Sequence, residues 1–160
     1  MTPRMRYDSQ INGFNPEIFN KRLRTHDHVF IVFQTTKNRV IGIFVECPIP
    51  ECSQSNSHFL ISEGRHYVFL YDGRGFLKFE MSNTRKSISI ECAKSKIFIG
   101  LFQSFRVLLS GDIEVANDQH FEENYTGVYQ IEDFLGVTAG EKCKAERIMA
   151  FNLQFNPSPR

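Results

Sequence analysis

Two cysteines and two histidines lie close enough in the sequence to act together on a metal ion. Cys47, Cys52, His58 and His66 offer two thiolates and two imidazoles, which are ligand types that zinc prefers. Structural zinc sites usually pair cysteines two to four residues apart, and the spacing of Cys47 and Cys52 is slightly too wide for that pattern. We therefore predict no metal, and these four residues remain the candidate ligands. The preferred interpretation is a loop cysteine, a buried cysteine and two surface or hydrogen-bonded histidines.

No catalytic arrangement is visible among the other reactive side chains. The sequence has no G-x-S-x-G elbow, and no histidine is tied by its spacing to a nucleophile. Glu122 and Glu123 are adjacent acids in a polar segment, where carboxylates are usually solvated. The glycines of Asp72-Gly73-Arg74-Gly75 suit a hairpin turn better than a phosphate loop, which must open a helix. We predict no catalytic residue and no cofactor.

Charge and composition exclude several classes of protein. The 160 residues carry 19 basic and 18 acidic side chains, a net charge of +1. Such a balance provides no global field to hold nucleic acid or an anionic membrane. No apolar leader is visible at the N-terminus, so we expect a cytoplasmic or nuclear location, with the four cysteines reduced. Lys96 and Arg106 flank an aromatic segment, but it lacks the residue order of RNA-binding strands.

The elements that must position these residues are mostly strands. Residues 28–33 and 39–46 are two apolar, β-branched runs around a polar turn, which predicts a hairpin. Further short runs follow at the spacing typical of sandwiches, up to a closing strand at 145–155. Asn15-Pro16-Glu17 predicts a helix start. We predict a mainly β fold, a β-sandwich of two antiparallel sheets with one or a few short peripheral helices. The 16 phenylalanines, with no tryptophan, are attributed to its packing.

The predicted organisation is a single domain. Residues 1–13 are polar and are expected to form a poorly fixed N-terminal arm, residues 14–155 form the domain, and 156–160 form a C-terminal tail. Two polar segments, 47–57 and 111–127, are predicted to be loops, and they are the surface candidates for binding.

The order of these segments resembles the TLDc domain, the module at the C-terminus of oxidation resistance proteins. Gly13-Phe14-Asn15-Pro16-Glu17-Ile18-Phe19 fits the opening helix motif of the family, and Val40-Ile-Gly-Ile-Phe44 stands at its glycine-containing strand. Either Phe59-Leu-Ile-Ser62 or Val68-Phe-Leu-Tyr71 matches a later strand, and Glu146 to Phe151 matches the closing strand. In two places the sequence departs from the family. Leu101-Phe102-Gln103-Ser104 replaces its glycine-rich middle, and Met149 replaces the second acid of the closing motif.

The resemblance implies a two-sheet sandwich and a non-enzymatic protein-interaction module in the oxidative-stress response. Some family members bind the vacuolar proton-pump ATPase, so subunits of that pump are the implied partners. One alternative is a cysteine-based antioxidant or metal-binding protein that uses Cys47, Cys52 or Cys92. The other alternative is a nucleic-acid-binding stress regulator, which the near-neutral charge argues against.

Overall fold

The structure is a computed structural model, and its description covers nine stretches of the chain. These are residues 2–51, 58–61, 66–80, 88–91, 97–101, 105–115, 125, 131–138 and 141–155.

The predicted helix near the N-terminus is present as α2 (Pro16–Leu23). The Asn15 side chain accepts hydrogen bonds from the backbone N–H of Glu17 and Ile18, at 3.0 and 3.2 Å. This cap satisfies donors that the first helical turn leaves open, and Pro16 in the first turn has no N–H to satisfy. Phe19 and Leu23 lie on the buried face, so α2 covers one side of the core.

Eleven strands and two further short helices complete the described elements. The other helices are α1 (Ser9–Asn12) and α3 (Ile131–Leu135). The strands are β1 (Thr2–Asp8), β2 (Val29–Thr35), β3 (Val40–Val45), β4 (His58–Ile61), β5 (His66–Tyr71), β6 (Phe76–Glu80), β7 (Ile88–Glu91), β8 (Ile97–Leu101), β9 (Phe105–Leu108), β10 (Asp112–Val115) and β11 (Cys143–Gln154). The mainly β, antiparallel fold with short helices confirms the predicted fold class.

The long strand β11 joins two groups of strands into one antiparallel sheet. Within the described residues the strand order is β4-β7-β8-β9-β10-β11-β2-β3-β5-β6, and β1 also pairs with β11. The first residues of β11 pair with β10, and residues 149–154 pair on the same edge with β1. The opposite edge of β11 pairs with β2 from Ala145 to Asn152. One strand therefore belongs to both groups.

The two groups of strands enclose a common hydrophobic core. Alternate residues of β2, Val29, Ile31 and Phe33, are fully buried, whereas the residues between them are half-buried. The same core receives Ile99 of β8 and Val107 of β9 from the other group. Two sheet faces that share one core pack against each other, as in a sandwich.

The expectation of a poorly fixed N-terminal arm was wrong for residues 2–12. Strand β1 pairs with β11, and Tyr7 is only 1% exposed, with its ring edge against Phe19 at 5.0 Å. Asp8 caps α1 by accepting a hydrogen bond from the backbone N–H of Gln10 at 3.0 Å. The polar composition of residues 1–13 was misleading because the first four residues of β1 are exposed, so this strand pairs with β11 through its backbone without needing apolar side chains there.

One further expectation needed correction. The polar segment 111–127 was predicted to be a loop, but it contains β10 and the buried Tyr125. Residues 116–124 of that segment lie outside the described residues, as do 52–57 of the other predicted loop and the 156–160 tail. The hairpin turn predicted at residues 72–75 joins β5 to β6 and spans four residues, because Tyr71 pairs with Phe76. Of these four residues only Gly73 has a positive φ.

Candidate functional site

The structure tests the predicted metal ligands only in part. Cys47 is half-buried just after β3, and His66 is buried at the start of β5. Cys52 and the side chain of His58 lie outside the described parts of the chain. Among the side chains that are described, no three His, Cys, Asp or Glu residues are grouped to hold a metal. For the full set of four candidate ligands, the absence of a metal remains a prediction.

His66 is engaged in a buried contact of its own. Its Nε2 lies 2.9 Å from the hydroxyl of Tyr125, and the two rings meet edge to face with centroids 5.8 Å apart. Burial lowers the pKa of His66 to about 4, and burial also raises the pKa of the Tyr125 phenol. Both groups are therefore uncharged at neutral pH. Sequence reasoning missed this pair because 59 residues separate its members.

The buried thiol of Cys143 is a poor nucleophile. Burial raises its pKa, and contacts with the side chain of Thr35 and the backbone of Lys144 oppose that effect only in part. Since the thiolate is the reactive form, a raised pKa lowers the reactivity of the group. Cys143 thus gives no support to a thiol-based antioxidant, while Cys52 and Cys92 lie outside the described residues.

The side of β2, β3, β5 and β6 that faces away from the core carries a set of packed aromatic rings. We call this set the aromatic face, and its members are Phe30, Phe44, Tyr67, Phe69, Tyr71 and Phe76. The register brings them together, because Phe30 is opposite Phe44, Phe44 is opposite Tyr67, and Tyr71 is opposite Phe76. The centroids of Phe30 and Phe44 are 4.7 Å apart, and those of Phe44 and Tyr67 are 4.8 Å apart. Cross-strand aromatic pairs of this kind stabilise a sheet.

A glycine lets one of these rings lie over the backbone of the neighbouring strand. A Cβ atom at Gly42 would come within 2.2 Å of Phe69 Cζ and 2.4 Å of the Ile31 carbonyl oxygen. With no side chain there, the ring of Phe69 covers the backbone and becomes buried, at 5% exposure. From that position it stacks on Phe76 with centroids 5.3 Å apart. A glycine inside a strand often marks a place where another group approaches the backbone closely, and Gly42 is such a place.

The aromatic face becomes accessible to solvent towards β6. Tyr71 is 46% exposed and Phe76 55%, and Leu77, on the opposite side of β6, is 52% exposed. The ammonium group of Lys78 lies 4.4 Å from the centre of the Tyr67 ring. In the strand order of the described residues β6 is a terminal strand. Exposed aromatic side chains beside a terminal strand are typical of surfaces that bind other proteins.

The fold and the surface together describe a β-sandwich with an exposed aromatic face at one end of its sheet. A comparison with protein families matches residues 1–146 to the TLDc domain. This match covers most of the 160 residues, and the chain belongs to the TLDc domain family. The predicted resemblance is confirmed, and the match includes the N-terminal residues that form β1. It makes the chain a member of the oxidation-resistance family, in which the TLDc domain is a protein-interaction module.

A search of curated proteins found no match for this sequence. In the part of the chain that the structure describes, no helix is long and apolar enough to cross a membrane.

Proposed function

We propose that this TLDc domain is a non-enzymatic interaction module of the oxidative-stress response and that it binds subunits of the vacuolar proton-pump ATPase in the cytoplasm. The observation that carries the proposal is the aromatic face, whose rings are ordered by packing before any partner arrives. Rigid aromatic side chains lose little conformational entropy on binding, and they are enriched among the residues that dominate interface energies.

The exposed end of the aromatic face is the part that a partner would cover. Phe76 and Tyr71 are directly opposite each other on β5 and β6, and each exposes about half of its surface. Phe69 stacks beneath Phe76 and is itself supported by Phe30, with centroids 6.0 Å apart. Phe76 therefore rests on the buried ring of Phe69, and substitution of Tyr71 and Phe76 by polar residues removes binding surface while leaving Phe69 in place.

The test is recovery of pump subunits from a eukaryotic lysate by the immobilised chain. We expect the wild type to recover them and the double variant Tyr71→Ser with Phe76→Ser to lose most of the signal. Val115→Ser is the matched control, because Val115 is 42% exposed on β10, in the other group of strands. An equal recovery by all three proteins would exclude the aromatic face, and no recovery by the wild type would exclude the pump.

A further inference from the structure

Two arginines and a histidine lie near one buried amide where β1 and β11 pair. Arg4 on β1 is opposite Asn152 on β11, and Arg6 Nε donates a hydrogen bond to Asn152 Oδ1 at 2.7 Å. Asn152 is only 6% exposed and is opposite Val29 on its other side, where the loop that contains His26 enters β2. The hydrogen bond to Asn152 fixes the direction of the Arg6 guanidinium.

The loop that brings His26 to this place has an unusual backbone. Thr25 and His28, which flank His26 and Asp27, both have positive φ angles, 69° and 49°. Non-glycine residues rarely adopt this conformation, and a β-branched residue such as Thr25 does so least readily. Backbone hydrogen bonds maintain it, from Thr25 N–H to the Ile49 carbonyl at 2.8 Å and from Ile49 N–H to the His26 carbonyl at 2.9 Å. Strained backbone that the surrounding structure holds in place is common at binding sites.

The charges of the two arginines act on each other and on His26. Burial, and after it the charges of Arg6 and Arg4, lower the pKa of His26, while Asp27 raises it. The lowered pKa leaves the His26 imidazole uncharged at neutral pH. Burial and the charge of Arg4 likewise lower the pKa of Arg6. The two guanidinium groups repel each other, and a bound anion would relieve that repulsion.

The nearby carboxylates are already committed to other partners. Asp27 lies 3.1 Å from Nδ1 of His28, and Asp8 forms an ion pair with Arg147 at 2.5 Å. Among the residues that the structure describes, no carboxylate lies within ion-pair distance of Arg4, Arg6 or His26. The cluster therefore has more hydrogen-bond donors than acceptors.

We propose that Arg4, Arg6 and His26 form a binding site for a carboxylate side chain in an acidic peptide segment of a protein partner. A guanidinium held by Asn152 presents its remaining N–H groups in a fixed fork, which matches the two oxygens of a carboxylate. A peptide is favoured over a membrane or a nucleic acid because the net charge of +1 offers no extended field for a polyanion. The inference rests on the proposed interaction function and adds the chemistry of the segment that is bound.

The test measures the affinity for a fluorescein-labelled peptide of alternating glutamate and glycine, by fluorescence anisotropy at low salt. We expect the double variant Arg4→Gln with Arg6→Gln to bind at least tenfold more weakly than the wild type. The control Arg74→Gln with Lys142→Gln removes the same charge at exposed positions elsewhere and is expected to stay within twofold. Arg6→Lys keeps the charge without the fork, and we expect its affinity to fall between wild type and double variant.

Several results would overturn the proposal. One is an equal loss of affinity in the test and control double variants, which would mean attraction by net charge alone. Another is competition by phosphatidylserine vesicles or inorganic phosphate as strong as that by unlabelled peptide at equal charge, which would assign the site to a different ligand. Binding of a lysine–glycine peptide as tight as that of the glutamate–glycine peptide would also overturn it, because the site would then not select a carboxylate. Urea unfolding checks that each variant is folded, and because the peptide is synthetic, failure to recover pump subunits does not affect this measurement.

Discussion

Burial keeps the imidazole of His66 uncharged at physiological pH, and this links folding to pH. The pKa of about 4 in the folded state is below the ordinary value of 6.5. The unfolded chain therefore takes up a proton at a pH where the folded chain does not, so stability is fully present above pH 6.5 and falls as the pH drops towards 4. At pH 5 this amounts to a loss of about 2 kcal/mol relative to neutral pH.

The first prediction concerns the variant His66→Gln, which retains a hydrogen-bonding group near Tyr125. We expect its free energy of unfolding to change less between pH 7 and pH 5 than that of the wild type, by about 2 kcal/mol. Urea titrations at the two pH values measure the difference. An unchanged pH dependence in His66→Gln would show that His66 is not buried as described.

The second prediction compares two ion pairs of equal length and different burial. Arg147 Nη2 and Arg24 Nη1 each lie 2.5 Å from a carboxylate, but Asp8 is almost fully buried whereas Glu51 is well exposed. We expect Asp8→Asn to cost about 3 kcal/mol, because it leaves a partly buried Arg147 without its counter-charge. Glu51→Gln should cost less than about 1 kcal/mol. Chemical denaturation measures the unfolding free energy of both variants. An equal loss in the two would contradict the difference expected from burial.

The Asp8–Arg147 ion pair also makes stability depend on pH, but through a favourable contact of the charged group rather than through burial of an uncharged one. The side-chain hydrogen bond with Arg147 holds the pKa of Asp8 below its ordinary value of 3.8. The stabilisation is therefore present above pH 3.8 and disappears as the pH falls through the lower folded-state value. His66 and Asp8 thus weaken the fold in successive acidic ranges.

Among the secondary-structure elements, β3 depends on the absence of a side chain at Gly42. In Gly42→Ala the new methyl group would meet the backbone oxygen of Ile31 as well as the ring of Phe69, so rotation of a side chain alone cannot make room for it. We expect this variant to lose about 3 kcal/mol of stability and to displace the Phe69 ring. Gly75→Ala is the control, because a Cβ there meets nothing within 4 Å. Thermal unfolding and near-ultraviolet circular dichroism report the two effects, and similar stability of both variants would argue against the described packing.

Elements with strong local signals could be predicted from the sequence, whereas elements defined by distant partners could not. The Asn15-Pro16 cap and the β2–β3 hairpin depend on neighbouring residues and were predicted correctly. Strand β1 forms only because β11, at the other end of the chain, lies beside it. Its alternation of Arg4, Met5, Arg6 and Tyr7 was the available signal, but a β-bulge between Met5 and Tyr7 interrupts it.

In the candidate site, too, local features could be predicted from the sequence, whereas contacts between distant segments could not. The strands that carry the aromatic face, and the phenylalanines on them, could be predicted from the pattern. Which rings meet depends on register, and the position of the Phe69 ring depends on Gly42 of the neighbouring strand. The His66–Tyr125 pair and the Arg4–Arg6–His26 cluster each combine residues from distant segments, so no local spacing indicates them. Site geometry here is a property of tertiary structure.

Over the whole molecule, the first and last strands of the described chain hold each other in place. β1 covers the edge of β11 from residues 149 to 154, Tyr7 packs on Phe19 of α2, and Asp8 binds Arg147. Removing residues 1–8 would leave the backbone groups of that edge unpaired and uncover part of the core at the same time. Exposed strand edges beside apolar surface promote aggregation.

We therefore expect a chain that begins at Ser9 to lose more than about 5 kcal/mol of unfolding free energy, a large part of the stability of an ordinary domain. It should show a broad or absent urea transition and a concentration-dependent loss of soluble protein. The control is Met5→Ser in the full chain, because Met5 is 44% exposed on the same strand and its loss should leave the transition nearly unchanged. The truncated chain also lacks Arg4 and Arg6, so peptide binding is compared only in the folded full-length variants. A sharp transition of the truncated chain at the wild-type midpoint would mean that β1 is dispensable, and that the domain begins after the first strand.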